Sequence, residues 1–311
     1  MKNRSKRAAF TLIEIIMVIV ILGVVAMIGT DIIAKMYQGY MRSQIISELQ
    51  QKTELALDQI SKRLKYRIKA SVVTKDALNT GTFKSLSSDD NGTYNMLEWI
   101  GYDNEGFLGE YNGTTFVPGW SGFIDLYDSA ITDENETSTR GSRLDYAANT
   151  IMALSYGDVS LSVPSATKQS PAIIFKKHFF GASPRTFGFD PGNPNDHNDT
   201  YPVRSNGNER LLFIEDKPDK RISEQYYLAW SAYALVPDVG ASNSDFNLTL
   251  HYNYQPWHGE QFDVAKSSVI AEHVSTFRFT QTGNMIRIKL CLQDDNKTGT
   301  PIGFCKEKVV F

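Results

Sequence analysis

The sequence predicts an α+β protein: one long N-terminal helix followed by an antiparallel, β-rich globular domain. Three observations predict it. Phe10–Gly29 is a run of twenty residues with a single charge, Glu14. No proline occurs before Pro118, and Gly39 is the only glycine between Thr30 and Asn79. Beyond residue 70, aromatic and β-branched runs alternate with Gly, Asn, Asp and Ser clusters, the pattern of short antiparallel strands.

Each segment follows in order. Residues 1–9, MKNRSKRAA, form a basic leader with Lys2, Arg4, Lys6 and Arg7 and no acid. The apolar run 10–29 comes next. Twenty helical residues rise about 30 Å, the thickness of a bilayer's hydrocarbon core. The positive-inside bias keeps the leader cytoplasmic and sends the rest of the chain outside the inner membrane. A cleaved secretory signal fits poorly, because the exit Ala26-Met27-Ile28-Gly29-Thr30-Asp31 offers no good small-x-small site. A plain anchor leaves Glu14 unexplained, since a carboxylate in an apolar span is costly and is functional by default.

The helical pattern continues past the run. Ile45, Leu49, Leu57, Ile60, Leu64 and Ile68 recur as an apolar stripe, with Glu48, Lys52, Glu54, Asp58, Lys62, Arg63, Lys65 and Arg67 between them. One continuous helix from about Phe10 to about Ala70 is expected, on the order of 90 Å long. Residues 30–70 form its amphipathic continuation, and 71–311 form the globular domain. Expected strands are Tyr94–Tyr102, Gly122–Leu126, Ala172–Phe175, Arg210–Glu215, Gln225–Leu235, Leu248–Tyr254, Val274–Gln281, Met285–Leu292 and Phe304–Phe311. Ser129–Asp145 and Ser183–Arg210, the latter with four prolines, read as long loops.

A basic leader followed by Ala9-Phe10-Thr11-Leu12-Ile13-Glu14 resembles the class III signal of type IV pilins and type II secretion pseudopilins. The resemblance implies cleavage by a prepilin peptidase between Ala9 and Phe10 and N-methylation of Phe10. It also implies pairing of Glu14 with the N-terminal amine of a neighbouring subunit during assembly. Two positions depart from the family. Ala9 stands where Gly is usual, and Asp31 stands where many major pilins have a helix-kinking proline. Leu57–Ala70 and the tail Phe277–Phe311 resemble, more weakly, the larger minor subunits, the J-type pseudopilins and W-type minor pilins. The implied function is a minor pilin or pseudopilin that initiates or caps a filament. Its implied partners are the peptidase, other pilin subunits and the inner membrane. The alternative is a membrane-anchored periplasmic or surface domain that borrows the signal and binds a carbohydrate, calcium or a secreted protein. Trp120 or Trp257 would then line its site.

Composition excludes other classes. Lys+Arg 32 against Asp+Glu 35 leaves a net charge of -3, which argues against a nucleic-acid partner. At 41% hydrophobic and 12% aromatic the chain is not disordered. A mean hydropathy of -0.29 with one long apolar run is not polytopic. No HExxH, P-loop or GxGxxG occurs, and Gly119-Trp120-Ser121-Gly122-Phe123 lacks the final glycine of G-x-S-x-G. His178, His197, His251, His258 and His273 form no metal-spaced pair. The chain is therefore not expected to be an enzyme or to need a cofactor.

Three further features carry expectations. Asp190, Asn193, Asn195, Asp196, Asn198 and Asp199 crowd one stretch with oxygen donors, which makes calcium a candidate although the EF-hand spacing is absent. Cys291 and Cys305, the two cysteines, lie fourteen residues apart across a turn-rich stretch. In an oxidising compartment they are expected to form a disulfide, worth about 3 kcal/mol in the chain-entropy model. Finally, six Asn-x-Ser/Thr sequons lie beyond the leader, at Asn91, Asn112, Asn135, Asn198, Asn247 and Asn296. All six have an acid two residues before the asparagine. Plain Asn-x-Ser/Thr marks N-glycosylation, and the acidic form resembles the acceptor of periplasmic bacterial oligosaccharyltransferases. Turn preference also clusters Asp, Asn and Thr, so both readings stand.

Overall fold

The computed structural model describes residues 11–88, 94–131, 133–162, 169–176, 184–193, 196–215, 222–238, 244–294 and 301–311. Helix α1 spans Leu12–Lys65, 54 residues without a break. At 1.5 Å per residue that is about 80 Å. Its two parts differ. Apolar side chains from Leu12 to Met41 stand exposed, whereas Leu49, Thr53, Ala56, Leu57, Ile60, Ser61 and Leu64 are buried. Steps of three and four put these seven on one face. The hydroxyl of buried Thr53 donates back to the Leu49 carbonyl at 2.7 Å, so it costs no unmet polar group.

The other elements are β1 (Val73–Asp76), β2 (Asn79–Ser85), β3 (Met96–Tyr102), α2 (Asn104–Leu108), β4 (Glu110–Tyr111) and β5 (Phe116–Val117). They continue with β6 (Glu136–Ser138), α3 (Leu144–Leu154), β7 (Ala172–Phe175), β8 (Tyr201–Ser205) and β9 (Arg210–Phe213). The last five are β10 (Tyr226–Asp238), β11 (Phe246–Tyr254), β12 (Lys266–Thr282), β13 (Met285–Gln293) and β14 (Gly303–Val310). Together they give the expected α+β arrangement, a long helix and then an antiparallel sheet-rich domain.

Strand β10 is the hub of a 12-stranded sheet. Its Ala229 pairs with Tyr102 of β3 on one flank and Ala172 of β7 on the other. Further on, Ala232, Tyr233, Ala234 and Leu235 pair with both β3 and β11. Strands β7 and β11 therefore share one flank of β10 end to end, and the sheet forks there. One branch runs β7-β8-β9-β6 and the other β11-β12-β13-β14. Register shifts at Ala229/Ser231 and Ala232/Tyr233 mark bulges where the branches part. The α1 face packs on the second branch, with Leu57, Ile60 and Leu64 against Phe277, Ile288 and Leu290. Helix α3 packs on the first, with Leu144 and Ile151 beside Val203 and Leu211. In β3, Leu97 and Trp99 join the α1 cluster while Met96 and Ile100 join a third around Trp257. The period of two buries both faces of this strand.

Several expectations need correction. The helix ends at Lys65, not near Ala70. The Ile68 amide donates to Ile100 at 2.8 Å, and the Tyr102 amide donates to Tyr66 at 2.9 Å. Sheet pairing with β3 thus captures the backbone that would have continued the helix, and Ile68 is buried for that reason. Arg67 locks the junction: its guanidinium donates to Leu64 O at 2.8 Å, Asn284 O at 2.6 Å and Phe311 O at 3.2 Å. The expected strand Gly122–Leu126 reduces to isolated bridges at Phe123 and Asp125. The loop expected over Ser129–Asp145 contains β6 and the start of α3, and that over Ser183–Arg210 contains β8. Helix α3 shows the spacing Leu144, Ala147, Ala148, Ile151, an amphipathic signal left unread behind polar neighbours. Strand β12 begins at Lys266 rather than Val274, and its first residues are mostly exposed.

Candidate functional site

The first turn of α1 holds the one charge of the apolar segment. Thr11 is the N-cap in an extended conformation, and Glu14 is the third helical residue. The Thr11 amide and hydroxyl both donate to Glu14 Oε2, at 3.0 and 2.9 Å. This reach-back suits the sequence Thr-x-x-Glu, and an acid in the first turn complements the helix dipole. Below it lies an 18-residue window of mean hydropathy 2.9, none of it buried among the described residues. The segment therefore presents a lone acceptor-only carboxylate at the head of an unpacked apolar rod. Such a rod is long and apolar enough to cross a bilayer once. Ala9 and Phe10 lie outside the described residues.

Residues 4–30 match the prokaryotic N-terminal methylation motif. The motif covers most of the basic leader with Ala9, Phe10 and Glu14, which are the residues that carry the pilin resemblance. With the long apolar helix, it is consistent with the type IV pilin and pseudopilin family. The methylation motif implies processing by a prepilin peptidase and assembly with other pilin subunits, and it points to a structural subunit. No curated protein and no solved structure matches the chain.

The cysteines form the expected disulfide. Cys291 and Cys305 are directly opposed on β13 and β14 and are joined. The bond fastens the last strand of the sheet, and that strand in turn holds the helix. Lys306 meets Glu54 at 3.0 Å, and Lys308 meets Asp58 at 2.9 Å. Asp58 also takes Lys62 at 2.8 Å. Hydrogen bonds from Lys62 and Lys308 hold the Asp58 carboxyl down at about 2.

The calcium candidates are not brought together. Asp190 accepts the Gly192 amide at 2.9 Å, Asp196 accepts the Asn198 side-chain amide at 2.9 Å, and Asp199 accepts the Thr186 hydroxyl. Each carboxylate is engaged with its own neighbour. Among the described residues no three His, Cys, Asp or Glu side chains gather to hold a metal ion. The histidines are dispersed as well. His197 faces Glu215, His251 faces the Phe262 carbonyl, His258 faces Ser170, and His273 faces Asp245. His178 and Asn195 lie outside the described residues. Trp120 and Trp257 are both buried, and their indole N–H groups donate to Asp103 O at 2.9 Å and Ser170 O at 3.0 Å. They are core residues and line no surface site, which removes the feature on which the binding-domain alternative relied.

Two buried polar groups were not anticipated. Lys75 and Glu98 are both fully buried and meet at 2.6 Å, and the Tyr254 hydroxyl donates to Glu98 Oε1 at 2.7 Å. Asp103, the N-cap of α2, accepts the Gly106 amide at 3.1 Å, and among the described residues its Oδ2 has no hydrogen-bond partner. Burial pushes its carboxyl up to about 7. Neither site announces itself in sequence, since a charged residue in a short strand or at a helix cap reads as facing solvent.

Proposed function

We propose that the chain is a minor pilin or pseudopilin, a structural subunit that initiates or caps a type IV pilus or a type II secretion pseudopilus. The observation that carries this is the exposed apolar half of α1 with Glu14 at its head, under a methylation motif. The peptidase cuts between Ala9 and Phe10, and Phe10 becomes the N-methylated terminus. Thr11 then holds Glu14 until a neighbouring subunit supplies its N-terminal amine. Exchanging Thr11 for that amine pairs two charges that are each costly in lipid. The apolar halves of several helices bury one another, and the domains above them touch laterally. The leader stays inside and the domain is periplasmic. The large domain supports a minor rather than a major role, because the major pilins that the signal resembles are usually shorter.

The test is mass spectrometry of the mature N-terminus together with filament incorporation. Protein from native membranes is expected to begin at N-methylated Phe10, and Glu14→Val is expected to leave the protein in the membrane but out of the filament. A chain beginning at Met1, or normal incorporation of Glu14→Val, would sink the proposal.

A further inference from the structure

The six acidic sequons are one motif in sequence, but they are not one thing in space. Asn91 and Asn296 lie outside the described residues. The other four differ in whether the asparagine amide and the threonine hydroxyl can reach another molecule.

Asn112 opens the turn of the β4–β5 hairpin, whose pairs are Glu110 with Val117 and Tyr111 with Phe116. Every residue from Glu110 to Thr114 is exposed, and among the described residues the hairpin joins no larger sheet. The Asn112 side-chain oxygen accepts the amides of Thr114 and Thr115 at 3.0 and 2.9 Å. Among the described residues neither the Asn112 amide nitrogen nor the Thr114 hydroxyl has a hydrogen-bond partner. Gly113 follows at φ 94°, a left-handed value that opens the turn, and a Cβ there would meet nothing. Glu110, the acid of the motif, is held by an exposed pair with Arg143 at 3.0 Å, which is weak and readily given up.

The other three are occupied. Asn135 is half-buried, and its threonine, Thr137, is a buried β6 residue paired with Leu211. Asn198 spends its amide on Asp196 at 2.9 Å, and Thr200 is buried with its hydroxyl on His197 O at 2.9 Å. Asn247 and Thr249 lie inside β11, between the ladders of β10 and β12. A second observation sets Asn112 apart. Tyr111 and Phe116 flank it 56% and 72% exposed, their rings 5.4 Å apart. A paired aromatic surface left bare at a hairpin tip is a surface for something to cover, and the C–H faces of a sugar ring suit it.

We propose that Asn112 is an N-glycosylation site and that Asn135, Asn198 and Asn247 stay unmodified in the folded chain. The donor class is a lipid-linked oligosaccharyl diphosphate. The Asn112 amide nitrogen forms a bond to the anomeric carbon, and the bond from that carbon to the diphosphate oxygen breaks. The diphosphate leaves with the electron pair, and one amide proton goes to base. The inference rests on export of the domain but not on filament assembly.

The test is glycopeptide mapping of the full chain from native membranes, alongside Thr114→Val and Thr114→Ser. A hexose or N-acetylhexosamine mass series is expected on the peptide containing Asn112, abolished in Thr114→Val and retained in Thr114→Ser. Peptides containing Asn135, Asn198 and Asn247 are expected bare. An unmodified Asn112 in chains that begin at Phe10 overturns the inference, as does a glycan on Asn135, Asn198 or Asn247. A glycan on Asn112 in chains that still begin at Met1 supports it and counts instead against peptidase processing.

Discussion

The two ends of α1 obey the same helical geometry and opposite rules of burial. From Leu12 to Met41 the apolar side chains face outward, and nothing among the described residues covers them. From Leu49 to Leu64 one face is sealed against β12, β13 and β14. As far as Gly29 the first part is apolar on all sides apart from Glu14 and needs lipid or other helices as its solvent. The second has an internal partner and owes its stability to the domain. The folding energy of the domain and the assembly energy of the apolar segment are thus kept apart along a single helix. A substitution should disturb one or the other.

The largest effect is expected where the domain has least freedom, at the buried Lys75–Glu98 pair. Removing one partner strands a charge, so Glu98→Gln should cost about 3–5 kcal/mol. The double change Lys75→Met with Glu98→Leu should recover much of that loss, because apolar replacement of both partners is often close to neutral. Urea unfolding of the domain measures both. If the single and double variants are equally unstable, the Tyr254 contact rather than the pair dominates. Next comes the helix itself. Leu64→Ala empties a fully buried site and should cost about 2–5 kcal/mol. Leu22→Ala should leave domain melting unchanged in detergent, because Leu22 is exposed. A matched loss at both positions would mean that the two parts of the helix are not separable.

Sequence made the same division only in part. The apolar run and the stripe Leu49, Leu57, Ile60, Leu64 were legible because helical period and burial agree along them. Strands β7, β10 and β13 were legible for a similar reason, since their apolar runs are bounded by turn residues. Strands β6 and β8 are short and lie in polar stretches, and long-range pairing rather than propensity makes them strands. Glu14 was legible because a lone carboxylate stands out in an apolar run. Asp103 and Lys75 were not, because their burial is set by partners far along the chain. The sequons were legible as a motif, but which of them is free to react depends on strand pairing that no local pattern reports.

An effect confined to one pH interval tests Asp103. Burial raises its folded carboxyl from the ordinary carboxylate range to about 7, against the hydrogen bond from the Gly106 amide, which lowers it. The folded state therefore holds a proton that the unfolded state has released over this interval. Stability is greatest below the unfolded value, falls as pH rises between the two, and is flat above about 7. Asp103→Asn removes that slope. Its advantage over the parent should grow from acid to neutral pH with a slope of at most about 1.4 kcal/mol per pH unit, since tenfold in proton affinity is about 1.4 kcal/mol. Parallel melting curves for the two proteins across that range would show that Asp103 stays charged in the fold.

The smallest effect belongs to Asp58, on the surface where helix and domain meet. Its carboxyl is held at about 2 by hydrogen bonds from Lys62 and Lys308, so it keeps its charge until the solution is strongly acidic. A depressed value gives stability that is present above the unfolded pKa and lost as pH falls toward the folded one. Both lysines are substantially exposed, and water and salt screen the pair. Asp58→Asn should therefore lower domain melting slightly at low salt and not at all at high salt. A salt-independent loss would show that the contact positions α1 on β14 by packing rather than charge, and the line between the two parts of the helix would then lie further toward the membrane than burial suggests.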